Sequence, residues 1–263
     1  FLELADRIYF KFSENDDFLQ TNTNKSFLVD SKQNLILESL NSFRYLTGWH
    51  KKFKIYLNKN IPIGAGLGGG SADAAATLIL LRKLYNKESK SKKISMPNLF
   101  EIANKLGSDV PACLESKSLK ISGFGNKIKR NLISNDYSYL LVNPNIKVST
   151  KKVFSQLSCF SHEKQFDKKI IFENINVYNS LLSSAIKLAP AIQDILSILK
   201  NIPNIVAYGM SGSGSTCFGI FRGNKTILSI SEYFNDKYFI WYGKKKDYSV
   251  NRVTRSKMLE NKF

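Results

Sequence analysis

Five glycines fall within the seven residues from Gly64 to Gly70, inside the stretch Pro62-Ile63-Gly64-Ala65-Gly66-Leu67-Gly68-Gly69-Gly70-Ser71-Ala72-Asp73-Ala74-Ala75. Upstream, Phe53, Ile55 and Leu57 alternate with Lys54 and Tyr56, the pattern of a half-buried strand. Downstream, Ala74, Ala75, Leu78, Leu81 and Leu84 recur at helical spacing between Ser71 and Tyr85. A strand, a glycine-rich turn and a helix in that order let main-chain N–H groups close on a ligand, and the helix adds its positive end. The segment has the outline of a phosphate cradle in which the main chain does most of the binding.

Two familiar loops are excluded by context. Gly64-x-Gly66-x-x-Gly69 fits the dinucleotide pattern, and Glu88 follows about 20 residues after it. Glu88, however, stands in the polar Lys87 to Lys93 stretch, where the end of a second parallel strand is required. A Walker A loop needs Gly-Lys-Ser/Thr at the helix start, and Gly70 is followed directly by Ser71. A glycine turn serving only helix–strand packing stays open as the structural alternative.

Two further segments bear on the chemistry. Leu106-Gly107-Ser108-Asp109-Val110-Pro111 places a carboxylate, Asp109, in a tight turn where Pro111 restricts φ. Such a group can orient an acceptor hydroxyl and take its proton, or it can simply cap its own backbone. Met210-Ser211-Gly212-Ser213-Gly214-Ser215-Thr216 is a small-residue loop between two strands, and its main chain can pack closely against another loop.

Together these three segments resemble the GHMP kinase superfamily, named for galactose, homoserine, mevalonate and phosphomevalonate kinases. Gly68-Gly69-Gly70-Ser71-Ala72-Asp73-Ala74-Ala75 is most similar to the kinases of 4-diphosphocytidyl-2-C-methyl-D-erythritol, with Ala72 where those enzymes usually carry Ser. The resemblance implies an α+β fold of two domains, an N-terminal nucleotide-binding domain over 1–136 and a C-terminal ferredoxin-like domain over 137–263. It implies ATP bound by Pro62, Ile63, Gly64, Ala65, Gly66, Leu67, Gly68, Gly69, Gly70, Ser71 and Ala72, accompanied by Mg2+. Asp109 becomes the expected catalytic base, and the 2-hydroxyl of the methylerythritol moiety the phosphoryl acceptor in non-mevalonate isoprenoid synthesis. Ser211, Gly212 and Gly214 are expected on the substrate side, closing against the nucleotide loop.

Val148-Ser149-Thr150-Lys151-Lys152-Val153-Phe154 resembles the segment whose aromatic stacks on cytosine, which makes Phe154 a substrate residue. A core aromatic is the other open reading. Asp73 is open between a magnesium ligand and a charge favouring the helix start. Gly123-Phe124-Gly125 echoes a family glycine pair, with Asn126 where an acid is usual. Asn179 matches a family Asn, but Ser180 and Leu182 replace the acids beside it, so no role is assigned. The resemblance begins near Phe1 to Asp6, downstream of the family strand that carries a catalytic Lys, an Asn and an aromatic-His pair. The expectation is a chain inactive as it stands, as a truncated form of an active kinase or, in the alternative, a decayed homologue. A homoserine or mevalonate kinase is the alternative within the superfamily.

Composition sets the remaining bounds. In 263 residues, 39 Lys+Arg against 21 Asp+Glu give a net charge of +18, which raises a nucleic-acid-binding module as a different class of function. That reading is weighed down because the basic residues are nearly all scattered Lys, with Arg only at positions 7, 44, 82, 130, 222, 252 and 255. An anionic small substrate is favoured over nucleic acid. The largely apolar stretch Ala74 to Leu81 is far short of the roughly 20 residues needed to span a bilayer, so no membrane partner is expected. Cys113, Cys159 and Cys217 form no close pair, and with His50 and His162 they suggest no zinc site; a cytoplasmic location is expected.

The remaining elements follow from periodicity. Asn34 to Thr47 reads as an amphipathic helix closed by Gly48, Asn98 to Leu106 as a helix opened by Pro97 and ended by Gly107, and Ala191 to Leu199 as a helix after Pro190. Strands are expected within Phe1 to Asp30 and at Tyr139 to Val142, Val206 to Met210, Thr216 to Phe221 and Tyr238 to Tyr242. With helical stretches up to Asn201 and another at Thr226 to Phe234, the second half has the split β-α-β-β-α-β order.

Overall fold

The computed structural model describes residues 1–23, 34–90, 92–123, 125, 127–130, 136–157, 170–172, 175–223 and 233–246. Its first unit contains β1 (Arg7–Ser13), β2 (Phe18–Thr21), α1 (Leu35–Thr47), β3 (Lys52–Asn58), α2 (Gly69–Glu88), α3 (Met96–Leu106) and α4 (Val110–Glu115). The strands form a three-stranded sheet in the order β1-β3-β2, with β1 antiparallel and β2 parallel to β3. The hairpin β4 (Leu119–Ser122) and β5 (Lys127–Arg130) follows.

Local chemistry sets the helix ends. Asn34 accepts the Ile36 N–H at 2.9 Å and caps α1, while Gly48, at φ +69°, closes it in the left-handed conformation. Ser95 and Asn98 form a capping box at α3. The helices cover the sheet with Ile36, Leu40, Phe43, Ala74, Leu78, Leu81 and Leu99, which pack on Phe53, Ile55 and Leu57 of β3.

The second unit contains β6 (Tyr137–Asn143), α5 (Thr150–Ser155), the hairpin β7 (Ile170–Phe172) and β8 (Ile175–Val177), α6 (Leu182–Leu188), α7 (Ala191–Asn201), β9 (Ile205–Met210), β10 (Cys217–Arg222) and β11 (Phe239–Lys244). An antiparallel sheet in the order β11-β6-β10-β9 carries a separate core built on Leu140, Val142, Ile192, Ile195, Leu199 and Cys217. If these strands are numbered one to four along the chain, the spatial order is four-one-three-two, as the split β-α-β-β-α-β pattern requires. The start of the chain reaches across to this sheet, where the Glu3 N–H donates to the Lys244 carbonyl at 3.0 Å.

The structure adds elements that periodicity did not reveal. β2 has only four residues, too few to show alternation, and β7 and β8 interrupt what reads as a helical stretch. α2 runs on to Glu88, whose carboxylate accepts the Trp49 indole N–H at 3.2 Å, so the polar loop begins later than expected. Phe124, Asn126, Cys159, His162 and the expected helix from Thr226 lie outside the described residues, apart from the helix's last two positions.

One ion pair joins three parts of the first unit. Arg44 of α1 donates to Asp17 through Nη1 at 2.6 Å and Nη2 at 2.8 Å, and Asp17 also accepts the Phe53 N–H at 2.8 Å. Burial pushes the Asp17 carboxyl up, but these hydrogen bonds and the Arg44 charge outweigh it and hold the group below the usual carboxylate range. Asp17→Ala strands a nearly buried guanidinium. The expected outcome is a loss of about 3 kcal/mol in urea denaturation, with Asp17→Asn intermediate.

Candidate functional site

The glycine-rich loop leaves β3 at Asn58 and enters α2 at Gly69. Gly64, Gly66 and Gly68 sit at φ +69°, +73° and +67°, and Ala65 and Leu67 between them do not have positive φ. Alternating left-handed backbone of this kind can turn successive N–H groups toward one side, the geometry of a concavity suited to an anion. Gly68 is the N-cap of α2 and supplies no side-chain hydrogen bond, so the loop meets the positive end of a 20-residue helix. Gly64 and Gly70 are exposed, Ala65 is buried, and the rest of Pro62 to Ala72 is half-buried. Pro62, Ile63 and Ala65 also line a cavity of about 510 Å³ between the two units, together with Lys59, Asn60, Asn143, Asn145 and Lys147.

The loop between β9 and β10 closes on this cradle from the second unit. The Ser211 hydroxyl donates to the Gly66 carbonyl at 2.8 Å, and the Thr216 N–H donates to the Ala65 carbonyl at 3.2 Å. A Cβ on Gly66 would lie 2.4 Å from the Ser211 carbonyl oxygen and 2.7 Å from that of Gly214. Gly212 lies against the Gly66 carbonyl, while Gly214 packs on Met210, Ile192 and Ala185 of the second core. The structure thus brings the main chain of Ser211, Gly212 and Gly214 onto the glycine loop, with Gly214 also packed on the second core.

Three residues that sequence reasoning left aside hold this loop. Asn179 donates to the carbonyls of Met210 at 2.9 Å and Gly212 at 2.7 Å. Asn143 donates to Ser215 at 3.1 Å and Thr216 at 2.8 Å, and Thr150 is hydrogen-bonded to Ser213 at 2.8 Å. Thr150 starts α5, which carries Phe154; with 49% of its surface exposed, Phe154 is not a core aromatic. The signal for Asn179 was its family match, which the missing acids beside it obscured.

Asp109 occupies the N-cap of α4, a short helix in place of the expected simple turn, and it is exposed. α4 packs on α2 and buries Cys113. Burial, aided by the negative charges of Asp109 and Asp73, pushes the Cys113 thiol up to about 12. Gly125 lies against the turn that presents Asp109, since a Cβ there would come within 2.0 Å of the Ser108 carbonyl oxygen.

Comparison with known proteins decides what this assembly is. Residues 34–117 match the model described as GHMP kinases N terminal domain, and residues 164–239 match GHMP kinases C terminal. A 4-diphosphocytidyl-2-C-methyl-D-erythritol kinase from Prochlorococcus marinus subsp. pastoris is 32% identical over 90% of this chain and 80% of its own length. The chain belongs to the GHMP kinase family. It is an ATP-dependent small-molecule kinase. A kinase of the same name from Vesicomyosocius okutanii is 33% identical, covering 88% of this chain and 79% of its own. A crystal structure of 4-(cytidine 5'-diphospho)-2C-methyl-D-erythritol kinase matches with a TM-score of 0.71 at 26% identity, over 92% of this chain and 87% of that one. A homoserine kinase from Cytophaga hutchinsonii shares the fold, with a TM-score of 0.67 at 13% identity.

Behind the GHMP kinase loop lies a charge cluster that the sequence did not disclose. The Lys59 ammonium is hydrogen-bonded to both Asp6 and Asp73, at 2.9 Å to the latter, and all three side chains are at least 93% buried. Asp6 also accepts the N–H groups of Asn60 at 2.6 Å and Ile61 at 2.9 Å, which fixes the start of the loop. Asp73 is thus engaged by Lys59 through one carboxylate oxygen. Two carboxylates share one ammonium, and burial, reinforced by the Asp6 charge, pushes Asp73 up to about 7 despite Lys59. Burial works against the Lys59 charge, but the two carboxylates outweigh it and raise its pKa, so it stays an ammonium.

Two tests follow from this geometry. Gly66→Ala forces a Cβ into the facing loop and is expected to cost about 3 kcal/mol or more; Gly68→Ala, with open space around it, costs only about 1–2 kcal/mol of backbone strain. Chemical denaturation of both variants checks the contrast. The raised Asp73 pKa means that between about pH 4 and 7 the folded state keeps a proton that the unfolded chain releases. Its contribution is full below the ordinary carboxylate pKa and is lost as pH rises through about 7. Stability relative to Asp73→Asn should therefore decline across that window and level off above it, as measured by melting temperature against pH.

Proposed function

We propose that the chain transfers the γ-phosphoryl group of ATP to the 2-hydroxyl of 4-diphosphocytidyl-2-C-methyl-D-erythritol, a step in non-mevalonate isoprenoid synthesis. The observation that carries the nucleotide side is the run of left-handed glycines opening α2, held from the other unit by Ser211 and Thr216. The relatives of that name, matched over about four-fifths of their own length, support the choice of acceptor.

In this reading, the main chain from Pro62 to Ala72 binds the triphosphate, and the helix dipole stabilises the charge that spreads over the transferred group. Asp109 orients the acceptor hydroxyl and takes its proton as the new P–O bond forms. The exposed Phe154 stacks on the cytosine ring, and Ser211, Gly212 and Gly214 present main chain to the substrate. The domain boundary belongs near Asp136, between the two hydrophobic cores. No cluster of three or more metal-ligating side chains occurs among the described residues. Magnesium usually keeps several waters and binds through phosphates plus one or two carboxylates, so it fits here as a companion of ATP that shields phosphate charge.

No helix among the described residues is long and apolar enough to cross a membrane. With its net charge of +18, the protein draws anionic nucleotides toward the cleft. We place it in the cytoplasm, where ATP is abundant, without nucleic acid as a partner.

The test is a substrate panel on the protein translated from the whole reading frame, with melting curves alongside. ATP at moderate salt raises the melting temperature. The cytidylyl substrate is phosphorylated, whereas homoserine and mevalonate are not. Asp109→Asn lowers kcat by about 10²–10⁴-fold while leaving the ATP-induced shift in place. Turnover of homoserine in place of the cytidylyl compound would reassign the acceptor. Salt-steep binding to DNA or RNA with no ATP-induced shift would reject the kinase reading altogether.

A further inference from the structure

The Asp109 carboxylate gives α4 no capping hydrogen bond, and its contact with the Ser108 hydroxyl is long, at 3.5 Å. The aim of this exposed group is therefore set by the main chain that carries it. On one side that main chain is held by the short helix. The Cys113 N–H donates to the Asp109 carbonyl at 3.1 Å, and Val110, Pro111 and Ala112 are buried. On the other side stands Ser108, which is exposed and belongs to no helix or strand.

Ser108 rests on Gly125. The β4–β5 ladder ends at the pair Ser122–Lys127, three residues before Gly125 and two after it. Lys120, Ile121, Ser122, Lys127 and Lys129 of this hairpin are exposed, whereas Gly125 is buried. At its φ of +87°, a Cβ on Gly125 would press on the Ser108 carbonyl oxygen and lie 2.7 Å from the carbonyl carbon and 2.9 Å from Ser108 Cα. All three are main-chain atoms, so no change of rotamer makes room. Either the Ser108–Asp109 peptide or the hairpin must move. Glycine is needed here for the left-handed backbone and for the close approach together.

We propose that Gly125 is a positioning residue for phosphoryl transfer: the tip of the β4–β5 hairpin is the stop against which Ser108 sets the Asp109 carboxylate. The inference rests on Asp109 being the group that takes the acceptor proton. A base displaced by about 1 Å can lose about 10²-fold in rate, while the glycine loop, built from other segments, keeps its hold on the nucleotide.

The test measures kcat, KM and the ATP-induced melting shift in the protein translated from the whole reading frame, for Gly125→Ala, Asp109→Asn and the double variant. Gly125→Asn is a second variant should the first fail to fold, because asparagine tolerates left-handed backbone yet still carries the Cβ. Gly48→Ala is the control for backbone strain alone, with φ +69° and open space around it. Both Gly125 variants should lower kcat about 10²-fold, leave both KM values within about threefold and keep the ATP-induced shift, whereas Gly48→Ala loses stability without losing kcat. In the Asp109→Asn background, Gly125→Ala should cost at most about a further twofold, since the carboxylate it positions is already gone. Unchanged kcat in folded Gly125 variants, or an undiminished drop in the Asp109→Asn background, overturns the positioning role. A drop in kcat matched by loss of the ATP-induced shift overturns it in favour of general packing. Normal kcat in Asp109→Asn overturns the reading of Asp109 itself.

Discussion

The site depends on a main-chain contact between two loops that lie about 145 residues apart in the chain. Carbonyls of Ala65 and Gly66 on one unit accept from Thr216 and Ser211 on the other, and the approach is so close that Gly66 has no room for a side chain. A loop rich in left-handed glycines is flexible when isolated, because glycine loses the most conformational freedom on ordering. Its N–H groups can converge on an anion only if something else holds the backbone. Here the β9–β10 loop does so, and Asn143, Thr150 and Asn179 hold that loop in turn. The phosphate cradle is therefore a property of both units rather than of the segment that contains the glycines.

The charge arrangement has the same logic. The Asp6–Lys59–Asp73 cluster fixes the entry to the loop and the first turns of α2 through buried, multiply bonded groups. Such clusters are costly to desolvate and disruptive to break, so their value lies in positioning rather than in net stability. Because Lys59 is committed to two carboxylates, compensation of phosphate charge in the proposed reaction falls to the main-chain amides and the α2 dipole.

The motifs made the site legible to the extent that main-chain geometry is written in glycine and proline. Gly64, Gly66 and Gly68 announced left-handed backbone, Gly48 announced the end of α1, and the strand order of the second half followed from alternating runs and Pro190. What stayed hidden was long-range pairing. Asp6 precedes Lys59 by 53 residues, and no local pattern says that one buried ammonium will serve Asp73 as well. α4 was read as a turn because its six residues are too few for helical periodicity, and β7 and β8 were hidden by their three-residue length. Exposure excludes the core reading of Phe154, and no single sequence reveals exposure at an isolated aromatic.

Amide hydrogen exchange with and without ATP tests the central claim most directly, because it reads the main chain itself. The account predicts that ATP slows exchange both between residues 62 and 72 and in the facing loop between residues 211 and 216, in parallel as nucleotide is titrated. Protection confined to other segments, or protection of the glycine loop with the facing loop unchanged, would contradict it.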